Sequence, residues 1–316
     1  MDVIIVCHTE FGFISDKNII FDKSATQGVS GGVLNLIKIA NKYKAKISFA
    51  VCPETVDCFP KSVEHEIGLH IHPGWQEFKF KNFKWFVGDK FLKDNCIQSV
   101  NSTVLRDFPF KEQFEMIKKG KDYLRSEFNK EPKFFMAGRW SENNDTIKAL
   151  VGNGFTHDCS APAHSKSDHY DWSRIPRICM PYHPNKDDYQ KKGDLPILFI
   201  PVSQTLFGGT VSPEGVPLYG YNWLKSCFSE YYSLNVPLFH ICLHSPSMTD
   251  DFYISALDNL LSFISSHKGV SFKFASEIKE YPPKNFKSNM VPYFSGASKE
   301  LFKTILKKVF LYAWNR

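Results

Sequence analysis

Residues 66–75 read EIGLHIHPGW. Ile67, Leu69 and Ile71 alternate with Gly68, His70 and His72, and alternation at period two marks a β-strand. On a strand, residues i and i+2 share a face, so His70 and His72 project side by side where Pro73-Gly74 turns the chain away. Paired imidazoles at a strand end suit a divalent metal. Without a third ligand they read equally well as two partly solvated histidines beside a turn. HEIGLH (65–70) is one residue longer than the metalloprotease HExxH. A spacing of five does not put both histidines on one helical face, and Gly68 opposes a helix.

Working outward, similar short apolar runs recur at 2–7, 46–51, 133–138, 155–158, 197–202, 237–243 and 270–274. Amphipathic helical patterns fall between them at 32–43, 112–128, 143–151, 221–232 and 250–266, the last with Thr249 as its expected N-cap. Strands that alternate with helices imply parallel pairing through βαβ units. So many units predict an α/β barrel, closed or nearly closed, rather than an open sheet. In such a barrel the C-terminal ends of all strands open onto one mouth.

Two stretches break the rhythm. Residues 73–110 are rich in Trp, Phe and Lys, and residues 160–195 in Pro, His, Asp and Tyr. Long loops of this kind in a compact domain are usually functional. After Tyr281-Pro282-Pro283 the pattern changes: 282–297 reads as a linker, and 298–316 as a basic amphipathic C-terminal helix. That helix can lie on an anionic membrane or pack back on the domain.

The chain of 316 residues has 29 Phe, eight Cys and a net charge of +6. The cysteines, at 7, 52, 58, 96, 159, 179, 227 and 242, form no CxxC and sit largely in apolar runs, so buried free thiols in a reducing cytoplasm are expected. No secretory signal opens the sequence and no apolar run has transmembrane length. There is no P-loop or GxGxxG signature and no GxSxG elbow at a strand end, and the modest charge argues against nucleic acid as a partner.

The strand ends carry the chemistry. The first apolar run ends in CHTE, so His8 and Glu10 share a face, and Glu10 is expected to meet His70 and His72 at the barrel mouth. Two imidazoles and a carboxylate leave open positions on one divalent ion: Zn²⁺ first, with Co²⁺, Ni²⁺, Mn²⁺ or Fe²⁺ as alternatives. Such an ion acidifies water and polarises a carbonyl. Arg139, Asp158 and His244 follow three further strands. Asp158 is expected to orient and charge-pair with Arg139, and His244 to act as general acid. Trp75, Trp85 and Trp140 are the expected sugar-stacking residues. A bland reading of 78–93, aromatic side chains packed over the barrel mouth, stands beside one in which it binds an acidic glycan or phosphorylated carrier.

The motifs CHTE, EIGLHIHP, AGRWS, HDCS and CLHS, in this order, resemble those of the polysaccharide deacetylase superfamily, the carbohydrate esterase family 4-like group with a NodB-type domain. The resemblance covers roughly residues 1–275 and implies a distorted (β/α)7 barrel that removes acetyl groups from sugars with a metal's help. It implies Glu10, His70 and His72 as metal ligands, Arg139 as the arginine that steadies the base, Asp158 as the fourth-motif aspartate, and His244 as general acid. Two departures stand out. His8 occupies the position of the usual base aspartate, and the two metal histidines are two apart rather than four. His8 is open to three readings: the base itself, a further metal ligand, or the mark of a chain that no longer hydrolyses. The expected substrate is an acetylated sugar, nucleotide- or lipid-linked, in bacterial lipopolysaccharide or capsule synthesis. The expected place of work is the cytoplasm, with peripheral membrane contact through 298–316. The rival reading is a silent barrel that binds metal and glycan, or a different metal-dependent hydrolase.

Overall fold

The computed structural model describes residues 1–296 apart from Lys81 and Phe207, so the helix expected over 298–316 lies outside the described residues. In chain order, β1 (Asp2–Thr9) is followed by the hairpin β2 (Gly12–Ser15) and β3 (Asn18–Phe21), helix α1 (Gln27–Lys42), β4 (Ile47–Val51) and β5 (Glu66–Ile71). A second hairpin, β6 (Trp75–Phe80) and β7 (Phe83–Gly88), leads to α2 (Lys90–Asn95) and α3 (Phe110–Phe128). Then come β8 (Phe134–Ala137), α4 (Asn144–Gly152), β9 (His157–Asp158) and β10 (Leu198–Phe199). The chain continues through α5 (Val216–Tyr219), α6 (Tyr221–Ser233), β11 (Leu238–His244), α7 (Asp251–Ser265), β12 (Ser271–Phe272) and α8 (Val291–Gly296).

The expected strands form one parallel sheet in the order β10-β9-β8-β5-β4-β1-β11, with β12 on the free end of β1. It curls into a distorted (β/α)7 barrel. Between β10 and β11 the closure is irregular: Ser203 N–H donates to the His240 carbonyl at 3.2 Å, and Cys242 N–H to that of Val211 at 3.0 Å.

Period-two alternation sorts the side chains. Val3, Ile5 and Cys7 of β1, Phe49 of β4, Leu69 of β5 and Phe239 of β11 belong to the large outer core beneath the helices. Ile4, Val6, Ala50, Phe134, Met136 and Cys242 fill the small interior core. Full burial of one such aliphatic or aromatic side chain contributes about 1.5–3 kcal/mol, so a one-residue slip of any strand would be costly. The interior parity of β1 and β5 runs on to His8, Glu10, His70 and His72, which places them at the mouth.

Four details differ from the sequence expectation. Helix α1 begins at Gln27, ahead of the expected start at 32, because its glycines serve packing. A Cβ on Gly32 would stand 2.0 Å from the Ser245 carbonyl oxygen, so only glycine lets α1 touch the turn that follows β11. The aromatic stretch after His72 is an antiparallel hairpin, not a loop. The N-cap of α7 is Asp250, whose carboxylate accepts from Phe252 N–H at 2.9 Å; Thr249 donates to the Pro246 carbonyl instead. Within 282–297, α8 buries Tyr293, whose hydroxyl donates to Glu230 Oε2 at 3.0 Å.

Candidate active site

Glu10 is the centre of the mouth. Its Oε1 lies 2.6 Å from His72 Nε2 and 3.4 Å from His70 Nε2, and its Oε2 lies 3.7 Å from His244 Nε2. The His70 ring is fixed from behind, because its Nδ1–H donates to the Met136 carbonyl of β8 at 2.7 Å. That bond leaves the Nε2 lone pair turned toward Glu10, the arrangement a metal-binding imidazole needs. Burial pushes the Glu10 carboxyl up, but His72, His70 and His244 outweigh it and hold the group well below the usual carboxylate range. Burial pulls the His72 imidazole down against the opposing pull of Glu10. The structure therefore brings Glu10, His70 and His72 together as the sequence led us to expect.

The donor set fits a divalent ion. Imidazole nitrogens and a carboxylate converge, while His8 Nε2, His72 Nδ1 and Glu10 Oε2 are buried without a hydrogen-bond partner. A fourth candidate was not foreseen. The potential ligand atoms of Glu10, Cys52 and His70 all lie within 4.8 Å of one another. Cys52 follows Ser48 and Ala50 on the interior parity of β4, a signal present in KISFAVC. Burial, and next the Glu10 charge, push its thiol well above its ordinary value.

His8 is 3% exposed, with its ring 4.6 Å from that of His70, 4.5 Å from that of His244 and 5.4 Å from that of Trp140. Burial, then the neighbouring His244 and His70, keep its imidazole well below its ordinary value, so it is neutral near pH 7. His244 behaves oppositely. Burial pulls it down, but Glu214 and then Glu10 push it up to about 9. Glu214 grips it twice: Oε2 lies 2.9 Å from Nδ1, and Oε1 accepts from the His244 backbone N–H at 2.6 Å. Glu214 sits in an irregular segment with no periodicity, and nothing in the sequence marked it.

Arg139 reaches the cavity through a backbone irregularity. Arg139 and Trp140 have φ of 53° and 58°, both in the left-handed region, at a cost of about 1–2 kcal/mol each. The turn is secured by Trp172 Nε1–H, which donates to the Trp140 carbonyl at 3.1 Å. Gly138, just before it, is needed because a Cβ there would lie 2.4 Å from the Ile71 carbonyl oxygen.

The expected Arg139–Asp158 pair is not formed. Arg139 Nη1–H donates to His169 Nε2 at 3.1 Å, inside the 160–195 segment. Asp158 is fully buried away from the cavity and accepts from Ser160 N–H at 2.8 Å and Ser160 Oγ–H at 3.0 Å. The left-handed turn leaves Arg139 on the cavity wall, whereas Asp158, in register with Phe135 and Phe199, shares their outer parity and points into the core beneath the helices. Its close neighbour is Glu142, another buried carboxyl that the sequence did not single out.

These groups line a cavity of about 220 Å³. Trp75, Trp85 and Trp140 all contribute to its wall, as do Lys23 and Glu54. Lys23 Nζ stands 4.6 Å from the Trp75 ring centroid and 4.8 Å from that of Phe86. The two hairpins meet through Phe13 and Phe83, 6.0 Å between centroids, so one aromatic wall is built from both.

Comparison with known proteins gives the fold a name. No family model matches the chain, and no curated protein does so. Solved structures do. A protein assigned as a polysaccharide deacetylase from Mycobacterium smegmatis matches at TM-score 0.52 and 15% identity, over 89% of this chain and 94% of its own. The chain has the polysaccharide deacetylase fold. A second protein so assigned, from Pseudomonas aeruginosa PAO1, matches at TM-score 0.52 and 15% identity, over 87% of this chain and 88% of its own. An allantoinase matches at TM-score 0.54 and 15% identity, over 87% and 88%. In this polysaccharide deacetylase-fold chain, the parallel strands deliver Glu10, Cys52, His70, His72 and His244 to one mouth.

Proposed function

We propose that the chain is a metal-dependent deacetylase that removes an acetyl group, most readily N-acetyl, from a sugar. One observation carries this reading: Glu10, His70, His72 and the Glu214-held His244 converge on one aromatic cavity at the C-terminal ends of the strands. Glu10, His70 and His72 would hold a divalent ion, Zn²⁺ first. When bound, the ion supplies Lewis acidity toward water and the acyl oxygen.

The chain's own residues do the rest. Neutral His8, with an unpartnered Nε2, takes a proton from the attacking water. His244 keeps Nδ1 on Glu214 and delivers the Nε2 proton to the departing amine nitrogen. Arg139, anchored on His169, presents positive charge to the acyl group as negative charge develops on its oxygen. Trp75, Trp85 and Trp140 stack on the sugar and exclude water. Asp158 lies away from the cavity, in the core beneath the helices, and serves the packing there. The substrate we favour is a nucleotide- or lipid-linked intermediate of bacterial surface-glycan synthesis, handled in the cytoplasm by a barrel spanning 1–281. Membrane contact through 298–316 is part of this proposal.

The test is acetate release from a panel of N- and O-acetylated sugars, free, nucleotide-linked and polymeric, by Zn²⁺-loaded protein. Release that is lost in His70→Ala/His72→Ala and in His244→Ala supports the reading. Stoichiometric metal with no acetate from any member favours the silent barrel that His8 in the base position suggests. A different small product with the same residue dependence moves the chain to another hydrolase class.

A further inference from the structure

We propose that Cys52 is a thiolate ligand of the ion held by Glu10 and His70, making this a mixed sulfur, nitrogen and oxygen centre for a thiophilic divalent ion such as Zn²⁺ or Co²⁺. The inference deepens the metal-dependent reading above and rests on it.

Strand register puts the three residues in one row. His8 pairs with Ala50 between β1 and β4, and Ala50 pairs with Gly68 between β4 and β5. Two residues further along each strand, with the same inward parity, the row reads Glu10, Cys52 and His70 on three adjacent strands. Their ligand atoms already lie within 4.8 Å of one another. Zn–S bonds of about 2.3 Å and Zn–N bonds of about 2.0–2.1 Å, at a tetrahedral angle, separate the donors by about 3.5 Å. Small side-chain rotations close that difference. The position is held firmly, since the Cys52 carbonyl accepts from both Thr55 N–H at 2.9 Å and Thr55 Oγ1–H at 2.8 Å.

A second observation points to a ligand in the same place. His8, 3% exposed, directs an unpartnered Nε2 into the cavity that Cys52 lines. A buried polar atom without a partner is costly unless something occupies the space before it. As the sulfur–metal bond forms, the S–H bond breaks and its proton leaves to solvent, one per ion bound. A soft sulfur donor shifts preference toward Zn²⁺ and away from Mn²⁺ and other hard ions.

The test uses the full chain loaded with Co²⁺. The wild type should show visible d–d bands and a near-ultraviolet thiolate-to-cobalt charge-transfer band. Cys52→Ser should keep the d–d bands, lose the charge-transfer band and bind Co²⁺ at least about 100-fold more weakly, beyond the 10–100-fold typical of losing an outer-shell partner. Cys58→Ser should keep both bands. On the wild type, Zn²⁺ should protect Cys52 from alkylation, read by peptide mass spectrometry, which needs no variant to fold. Wild-type d–d bands without charge transfer, or Cys52 alkylation unaffected by Zn²⁺, would overturn the proposal while leaving the metal reading intact. No d–d bands at any Co²⁺ concentration would overturn both.

Discussion

Glu142→Gln should make the protein more stable, increasingly so as pH rises. Glu142 and Asp158 are 1% and 0% exposed, side by side in the core between the sheet and the helices. Burial pushes the Asp158 carboxyl up to about 6. Burial, then the Asp158 charge, push that of Glu142 well above the usual range. Two such carboxyls do not both ionise, so the folded pair keeps a proton that the unfolded chain releases near pH 4. Both folded values are raised. The stability tied to that proton is thus fully present below about pH 4 and is lost as pH climbs through 6 and beyond, at about 1.4 kcal/mol per pH unit. The glutamine side chain replaces the retained proton with an amide N–H that titrates in neither state. The stability difference between variant and wild type should therefore widen by about 2.7 kcal/mol from pH 5 to pH 7. Urea unfolding of both proteins across that range measures it. Buried neutral histidines such as His240, pulled down to about 4 by burial, bend both curves alike and cancel. Parallel curves would show that the pair stores no proton and would refute the reasoning.

Glu214→Ala removes both hydrogen bonds on His244; if Glu214 positions the general acid, kcat should fall by about 10²–10⁴ with KM little changed, and Glu214→Asp should restore part of it. Equal rises in KM without loss of kcat would point to a substrate contact instead. Glu230→Gln weakens the acceptor shared by Arg177, Tyr293 and the Asn289 N–H, and leaves the Arg177 guanidinium, 12% exposed, without its counter-charge. A loss of about 3–5 kcal/mol is expected by chemical denaturation, and a loss under about 1 kcal/mol would mean that α8 docks without this network.

Period-two parity carries most of what the sequence can say. It assigns His8 and Glu10, then His70 and His72, to shared faces, and parallel pairing brings those faces to one mouth, where Glu10 stands 2.6 Å from His72 and 3.4 Å from His70. The same rule, applied to KISFAVC, leads to Cys52 in the row between Glu10 and His70, since β4 lies between β1 and β5. That step needs the sheet order, which periodicity does not supply, and composition alone makes a lone cysteine an apolar filler. Parity fails where the backbone leaves the strand. Arg139 follows β8 and Asp158 ends β9, so their pairing needs only proximity on paper. Yet two consecutive left-handed residues rotate Arg139 toward His169, and nothing in AGRWS announces φ of 53° at an arginine. Such strain persists only where surrounding bonds over-determine it, here the Trp172 indole on the Trp140 carbonyl. Glu214 shows the other limit. It meets His244, 30 positions further along the chain, so only the closed fold reveals it. Local periodicity therefore locates the candidate ligands, which lie at the strand ends or one residue past them, while the groups that tune them come from turns whose geometry is set by tertiary contacts.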